Sequence, residues 1–154
     1  MKYDEIKQQA EEYFNEKYQY AEGFFDGAEY YCDKGNYKLS AFNLHQTCEN
    51  LFHAVNLTFT LNKNKQHNLA KLLASVKKYS DVFIIIFPRK TAEEQRLFKL
   101  LKDAYVEARY NPDFFVTKDD IDALLLCIRQ LFESVKRICE DQIKKYEELT
   151  GTGH

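Results

Sequence analysis

Polar side chains with catalytic or ligand-binding chemistry are most concentrated between residues 45 and 53. His45, Glu49 and His53 stand four residues apart, so on a helix they align along one side. Two imidazoles and a carboxylate on one face could bind a metal ion, but a complete site needs another ligand from a second element. We therefore expect no metal, and instead buried hydrogen bonds between Glu49 and a neighbouring helix, with His45 and His53 at the rim.

A second group of candidates lies in a short basic segment. Lys63 and Lys65 precede His67, which stands at the start of a predicted helix. A histidine in that position could pair with a phosphate or act as a general acid. It could equally cap the helix through one backbone hydrogen bond. The sequence leaves both interpretations open.

Arg109 and Asn111 stand where a later helix ends. A cation at a helix C-terminus is stabilised by the helix dipole, which gives Arg109 a structural explanation. Its guanidinium is also suited to bidentate phosphate binding. The site predicted for a nucleotide or phosphate comprises Lys63, Lys65, His67, Arg109 and Asn111, together with His45 and Glu49.

Other catalytic classes are disfavoured. No serine has the glycine neighbours of a nucleophile elbow, and no glycine-rich loop could hold a phosphate. The four cysteines lack zinc-finger spacing, and Cys48 falls in an apolar stripe, so we expect buried free thiols in a reducing cytoplasm. We therefore expect no cofactor and no self-contained metabolic active site.

Length and composition describe the protein that must position these residues. The chain has 154 residues, of which 45% are hydrophobic, with 5 Gly and 2 Pro, which favours one all-α domain over a turn-rich β-fold. Its net charge is −2, yet residues 62–109 carry 11 basic and 5 acidic side chains. The middle third is therefore where an anion would bind, unless its lysines are simply solvated. No apolar run is long enough for a membrane span.

Apolar residues at steps of three and four predict four long helices, over residues 2–32, 37–59, 92–110 and 118–148. A short helix is expected at 67–79, and a buried turn or short helix before Pro88. Thr91 and Thr117 are the predicted N-caps of the last two long helices. The predicted fold is an all-α, up-down four-helix bundle with an additional short helix between the second and fourth long helices. Residues 1–150 form this single domain, its charged end (141–148) projecting from the body, and residues 151–154 fray.

Three segments of the chain show a known order of motifs. They are Gly35–Tyr37 with Ala41–Glu49, His67–Leu69 with Leu72, and Ala104–Tyr110. In order and spacing they resemble the HEPN domain family (higher eukaryotes and prokaryotes nucleotide-binding), over roughly residues 20–140. The resemblance implies a helical bundle that dimerises, and that binds nucleotides or accompanies a minimal nucleotidyltransferase.

The resemblance also implies a test for catalysis. Many members are metal-independent ribonucleases in which four to six residues separate an arginine from the histidine that follows it. The arginine stabilises the phosphorane charge and the histidine moves the proton of the 2′-hydroxyl. Here Arg109 is present, but Phe114, Phe115 and Val116 occupy the histidine positions. The resemblance therefore argues against this nuclease.

The sequence thus predicts a non-catalytic HEPN-type module that acts as a homodimer and binds a nucleotide, RNA or a nucleotidyltransferase partner, and no membrane. The dimer is also favoured by aromatic residues on several faces of the first helix. One alternative is a ribonuclease toxin of a toxin–antitoxin pair that uses a displaced histidine, His45 or His67, with Arg109. The other is a helical scaffold without a ligand.

Overall fold

The structure is a computed structural model that describes residues 2–152. Within that range the chain forms helices and no β-strand. The helices are α1 (Tyr3–Asp33), α2 (Tyr37–Thr60), α3 (Leu69–Val76), α4 (Val82–Ile86), α5 (Ala92–Tyr110) and α6 (Lys118–Thr152). The all-α prediction is confirmed: α1, α2, α5 and α6 are the long helices, and α3 is the expected short one. The up-down order of the long helices stays a prediction.

The connection between α1 and α2 is tight, and the two helices pack closely. Gly35 has a positive φ of 77°, which glycine adopts without steric cost, and the Asn36 side chain then caps α2 by accepting from Leu39 N. Gly27 matters for the packing itself, because a Cβ there would lie 2.8 Å from Asn43 Oδ1. The glycine at this position therefore allows α1 to lie close to Asn43 of α2.

Helix α2 is the centre of the fold, since it packs against α1, α3, α5 and α6. Leu44, Leu51 and Val55 are fully buried, as their stripe predicted. His45 and His53 are also buried, with 0% and 7% of their surface exposed. The prediction that they lie at the rim is wrong, because the segment 62–68 folds back across this side of α2 and bonds to both imidazoles.

The N-terminus of α3 corrects a second expectation. Asn68, not His67, is the N-cap: its side chain accepts hydrogen bonds from Ala70 N and Lys71 N. The helix buries Leu69, Leu72, Leu73 and Val76. Asn68 is the better cap because its side chain is short and its amide oxygen accepts from two unpaired backbone donors at once. The capping interpretation of His67 is therefore wrong.

The bounds of α5 and the starts of α2 and α6 agree with the sequence, whereas α3 ends at Val76 rather than at Tyr79. The expected short helix before Pro88 is α4, which buries Phe83 and Ile86. Thr91 caps α5 in a capping box with Glu94. Thr117 exchanges two 3.1 Å hydrogen bonds with Asp120 at the start of α6. Each cap satisfies backbone donors that a helix start leaves unpaired.

The C-terminal end of α6 does not project from the body as expected. Ile143 is buried, and the Tyr146 hydroxyl donates to Thr58 O over 2.9 Å, which holds this end against α2. Helix α6 extends to Thr152, and residues 153–154 lie outside the described range. The frayed tail over residues 151–154 stays a prediction.

The cysteines and the hydropathy of the helices complete the description. All four cysteines are free thiols, as predicted; Cys32, Cys48 and Cys139 are buried and Cys127 is half-buried. In the described chain no helix combines the length and the apolar character needed to span a bilayer.

Candidate functional site

The ring of Tyr105 joins residues that the sequence places on three different elements. It lies on α5, and the His67 ring stacks on it with centroids 4.9 Å apart and planes 10° apart. The His45 ring of α2 lies 5.1 Å from the same ring. The Arg109 guanidinium, one turn further along α5, lies 4.5 Å from its centroid. Tyr105 therefore brings His45, His67 and Arg109 into one cluster.

The Arg109 side chain is held in place without being neutralised. Its Nε donates to Tyr105 O over 2.7 Å, and its guanidinium also lies over the rings of Phe42 and Tyr110, at 5.3 and 5.0 Å. The residue is exposed, and no carboxylate within residues 2–152 lies at ion-pair distance from it. A guanidinium that is positioned and still fully charged is prepared to bind an anion through its remaining N–H groups.

Glu49 forms a hydrogen-bonded pair with His67, one of the residues of the cluster around Tyr105. Glu49 Oε1 lies 2.7 Å from His67 Nδ1, and the two side chains are 10% and 50% exposed. A carboxylate only accepts, so Nδ1 carries the proton of this bond. Burial raises the pKa of Glu49, while the bond to His67 and the nearby Lys17 lower it. The expected buried bond of Glu49 is thus present, but its partner belongs to the 62–68 segment rather than to a helix.

The two buried histidines fasten that segment to α2. His45 Nε2 donates to His67 O over 3.0 Å, and His53 Nε2 donates to Gln66 O over 2.9 Å. The Gln46 amide lies 3.2 Å from His45 Nδ1 and donates to it, which defines a neutral imidazole. Burial lowers the pKa of His45 to about 4 and also lowers that of His53. Both nitrogens of His45 are therefore engaged with the protein, and His67 is the accessible histidine of the cluster.

Three predicted site residues lie apart from Tyr105. Lys63 Nζ lies 5.5 Å above the ring of Tyr13 on α1, and Lys65 is exposed on the same segment. Asn111 is the C-cap residue of α5, and its side chain is occupied: the amide donates to Glu107, and the carbonyl accepts from Asp113 N. The structure thus brings His45, Glu49, His67 and Arg109 together and leaves the other three outside the cluster.

A cleft of about 380 Å³ opens beside the cluster, between the start of α3 and α5. Its lining consists of His67, Asn68, Lys102, Asp103, Tyr105, Val106 and Glu107. Of these residues, only His67 is predicted from the sequence as part of the site, since the apolar periodicity of α5 gives Tyr105 no such role. The spacing of Tyr105 and Arg109, four residues apart on one helix, is the signal that identifies the ring as a support for the guanidinium.

A metal centre has no support in the described chain. No group of three or more His, Cys, Asp or Glu side chains in residues 2–152 is arranged to hold a metal ion. His45, Glu49 and His53 instead direct their bonds to the 62–68 segment. The alignment of these three side chains on one face of α2 is thus explained by their hydrogen bonds to the 62–68 segment, which attach that segment to the helix.

Comparison with models of protein families gives a match over most of the chain. The family model described as HEPN domain matches residues 5–138, which covers all six helices except the ends of α1 and α6. No curated protein matches the chain.

Proposed function

Because this chain belongs to the HEPN family, we propose that it is a non-catalytic module that binds a nucleotide at the His67–Tyr105–Arg109 cluster. The observation that carries the proposal is the Arg109 guanidinium, which is fixed by Tyr105 O and three aromatic rings and is unpaired with any carboxylate of the described chain. It binds the phosphate, while the adjacent cleft of about 380 Å³ receives the base and ribose. Lys102 also lines the cleft, where its ammonium lies 3.8 Å from the Asp103 carboxylate.

The residues after Arg109 support the non-catalytic part of the proposal. At the positions where ribonucleases of the family carry histidine, Phe114 is half-buried, Val116 is buried, and Phe115 is 80% exposed. None of these side chains can transfer a proton. The loop after α5 therefore carries apolar side chains at the positions where RNA cleavage needs an acid or a base.

Calorimetric titration with ATP, GTP and a short RNA tests nucleotide binding. We expect saturable heat with at least one of them, and a loss of about tenfold or more in affinity for Arg109→Ala, the cost of one charged hydrogen-bonding partner. Arg109→Lys keeps the charge but loses the bidentate hydrogen-bonding geometry of the guanidinium, so it should retain only part of the wild-type affinity. The matched control is Arg137→Ala, an exposed arginine of α6. If none of the three ligands gives heat or thermal stabilisation, nucleotide binding is contradicted and the alternative of a helical scaffold without a ligand is favoured.

A second candidate function, metal-independent RNA cleavage, is favoured by the Glu49–His67 contact of 2.7 Å. A carboxylate that holds Nδ1–H leaves His67 Nε2 as the base. That nitrogen takes the proton of the 2′-hydroxyl, whose oxygen attacks phosphorus as the 5′-oxygen leaves with a proton from solvent, and Arg109 stabilises the phosphorane. Incubation with total RNA in the presence of EDTA separates the candidates. Cleavage that is lost in both His67→Ala and Arg109→Ala would establish this function over the first.

The oligomeric state and the partner are further parts of the proposal. Tyr3, Tyr20 and Tyr30 of α1 expose 48%, 55% and 57% of their surface, and such rings are typical of protein interfaces. We propose a homodimer that accompanies a nucleotidyltransferase in the cytoplasm, a reducing compartment that suits four free thiols. Light scattering after size exclusion should give twice the 18.3 kDa of one chain, and a mass of 18.3 kDa would contradict the dimer.

A further inference from the structure

A second cleft, of about 250 Å³, lies between α1 and α6 and is lined by aromatic and acidic side chains. These are Tyr18, Glu22, Phe25 and Asp26 of α1 with Phe132 of α6, and the cleft is called the aromatic–acidic cleft below. Glu22 is three or four residues from each of the other three α1 positions, so all four lie on one side of that helix. The aromatic–acidic cleft shares no residue with the cleft beside Tyr105.

The three rings of the aromatic–acidic cleft pack against one another. The Phe132 centroid lies 5.4 Å from that of Tyr18 and 5.3 Å from that of Phe25, and the planes cross at 84° and 75°. The positive edge of one ring thus meets the negative face of another. All three rings are half-buried and pack on the core, which fixes them and leaves part of each open to the cleft. Aromatic faces at a partly desolvated position attract a cation.

The carboxylates of the aromatic–acidic cleft are not neutralised by the described chain. Glu22 and Asp26 are exposed, and neither takes part in an ion pair within residues 2–152. None of the lysines or arginines in that range lines the cleft. Burial raises the pKa of Tyr18, and the charges of Glu22, Glu140 and Glu133 raise it further. The surroundings are therefore negative, and a cationic occupant is favoured.

A contact next to the aromatic–acidic cleft indicates which cation suits it. The Arg129 guanidinium lies 5.6 Å from the centroid of Phe25 and donates to Glu29 Oε2 over 3.2 Å, but it does not line the cleft. A guanidinium combines these contacts because its planar face stacks on a ring while its N–H groups bind a carboxylate. An ammonium group is a compact and more strongly hydrated charge. The cleft repeats this combination of ring and carboxylate without an arginine from the described chain.

We propose that the aromatic–acidic cleft binds the guanidinium of an arginine side chain presented by a different protein. The guanidinium lies against the rings, and its N–H groups donate to Glu22 and Asp26. Free arginine is disfavoured because its own carboxylate meets the negative charge of the cleft, whereas in a peptide that group is an uncharged amide. A second copy of this chain is a poor donor, since four of its five arginines already contact a ring or a carboxylate of their own chain.

NMR titration of the isotope-labelled protein with the blocked peptide acetyl-Gly-Arg-Gly-amide tests the proposal, because it detects weak binding and locates it. We expect saturable shifts of backbone resonances over residues 18–26 and around Phe132. The same peptide with citrulline in place of arginine keeps the shape without the charge and should cause no such shifts. A lysine peptide should bind more weakly, because it lacks the planar group. Equal affinity for the arginine peptide and either of the other two would overturn the proposal.

Substitution of the two acids tests the carboxylates without disturbing the core. Glu22→Gln with Asp26→Asn keeps the shape of both exposed side chains, and we expect a loss of about tenfold or more in affinity for the arginine peptide. The matched control is Glu16→Gln with Asp33→Asn, which makes the same changes at exposed α1 positions that do not line the cleft. The control should retain the wild-type affinity. An equal loss in both variants would contradict a site in this cleft.

Substitution of one ring tests the aromatic contacts. Phe25→Leu should lower the affinity about two- to fivefold, the cost of one cation–π contact. Its control is Phe24→Leu, which changes a half-buried ring that does not line the cleft and should leave the affinity unchanged. Wild-type affinity in Phe25→Leu would overturn the proposed role of the rings.

A dilution series without peptide identifies the one competing occupant, a second copy of this chain. If the resonances of the aromatic–acidic cleft shift with protein concentration, a second copy occupies it and the proposal of a different protein is wrong. Resonances that do not depend on concentration support the proposal. None of these measurements involves a nucleotide, so their outcome is independent of the proposed nucleotide site.

Discussion

The buried imidazole of His45 makes the fold sensitive to acid, and a single substitution should remove that sensitivity. Burial lowers the pKa of His45 to about 4, with the charges of His67 and Arg109 acting in the same direction. In the unfolded chain the value is about 6.5. His45→Phe retains an aromatic ring against Tyr105 but carries no titratable group. It also leaves His67 O without its 3.0 Å donor.

The size of the effect follows from the two pKa values. Between pH 6.5 and about 4 the unfolded state binds the proton and the folded state does not, so the free energy of unfolding decreases as the pH falls through this window. The full difference corresponds to about 3 kcal/mol, of which about 2 kcal/mol is lost between pH 7 and pH 5. At pH 7 the variant should itself be about 1–3 kcal/mol less stable, because a buried carbonyl is left unpaired. The stability gap between the two proteins should therefore narrow as the pH falls.

Urea unfolding followed by circular dichroism at pH 7, 6 and 5 measures this gap directly. Glu49 and His53 also titrate with shifted pKa values, but they are present in both proteins and cancel in the comparison. The gap should close by about 2 kcal/mol between pH 7 and pH 5. A gap that stays constant over this range would refute the reasoning, since it would mean that His45 has the same pKa in the folded and unfolded states.

Three further predictions concern stability. Leu51→Ala and Leu124→Ala, at positions that are 0% and 1% exposed, should each cost about 2–5 kcal/mol by calorimetry, and a cost below that range would place either residue outside the core. Glu49→Ala removes the bond to His67 and should cost about 1–3 kcal/mol in thermal melts; an unchanged midpoint would show that the pair contributes nothing to stability. Asn68→Ala removes the cap of α3 and should cost about 1 kcal/mol in urea unfolding, whereas Asn68→Ser should restore most of it.

The helices could be read from the sequence because their signals are local. Apolar residues three and four apart identify the long helices, and the caps at Thr91 and Thr117 form with neighbouring residues that the sequence displays. The predicted start of α3 at His67 was wrong, because the helix begins at Leu69. His67 and Asn68 are adjacent in the sequence, but the Asn68 side chain caps the helix while the His67 side chain bonds to Glu49.

The candidate site was only partly predictable, since its contacts join positions far apart in the chain. Glu49 and His67 are 18 residues apart, and Tyr105 meets both His45 and His67 from another helix. Periodicity assigns Tyr105 to an apolar stripe. Its spacing from Arg109 is a local signal, but nothing local shows that the same ring contacts two imidazoles. The residue types with chemistry were identified, but the ring that assembles them was not.

The sequence by itself determined the all-α class, most helix boundaries, and the absence of a histidine at positions 114–116, because these depend on spacing and residue identity alone. Only the tertiary structure decided which polar residues are accessible. The 62–68 segment folds over α2 and converts His45 and His53 from predicted rim residues into buried, neutral hydrogen-bond donors, while His67 remains half-exposed beside Arg109. The physical reason is that burial and hydrogen-bond partners, which set both pKa and access, depend on what the rest of the chain places against a helix face.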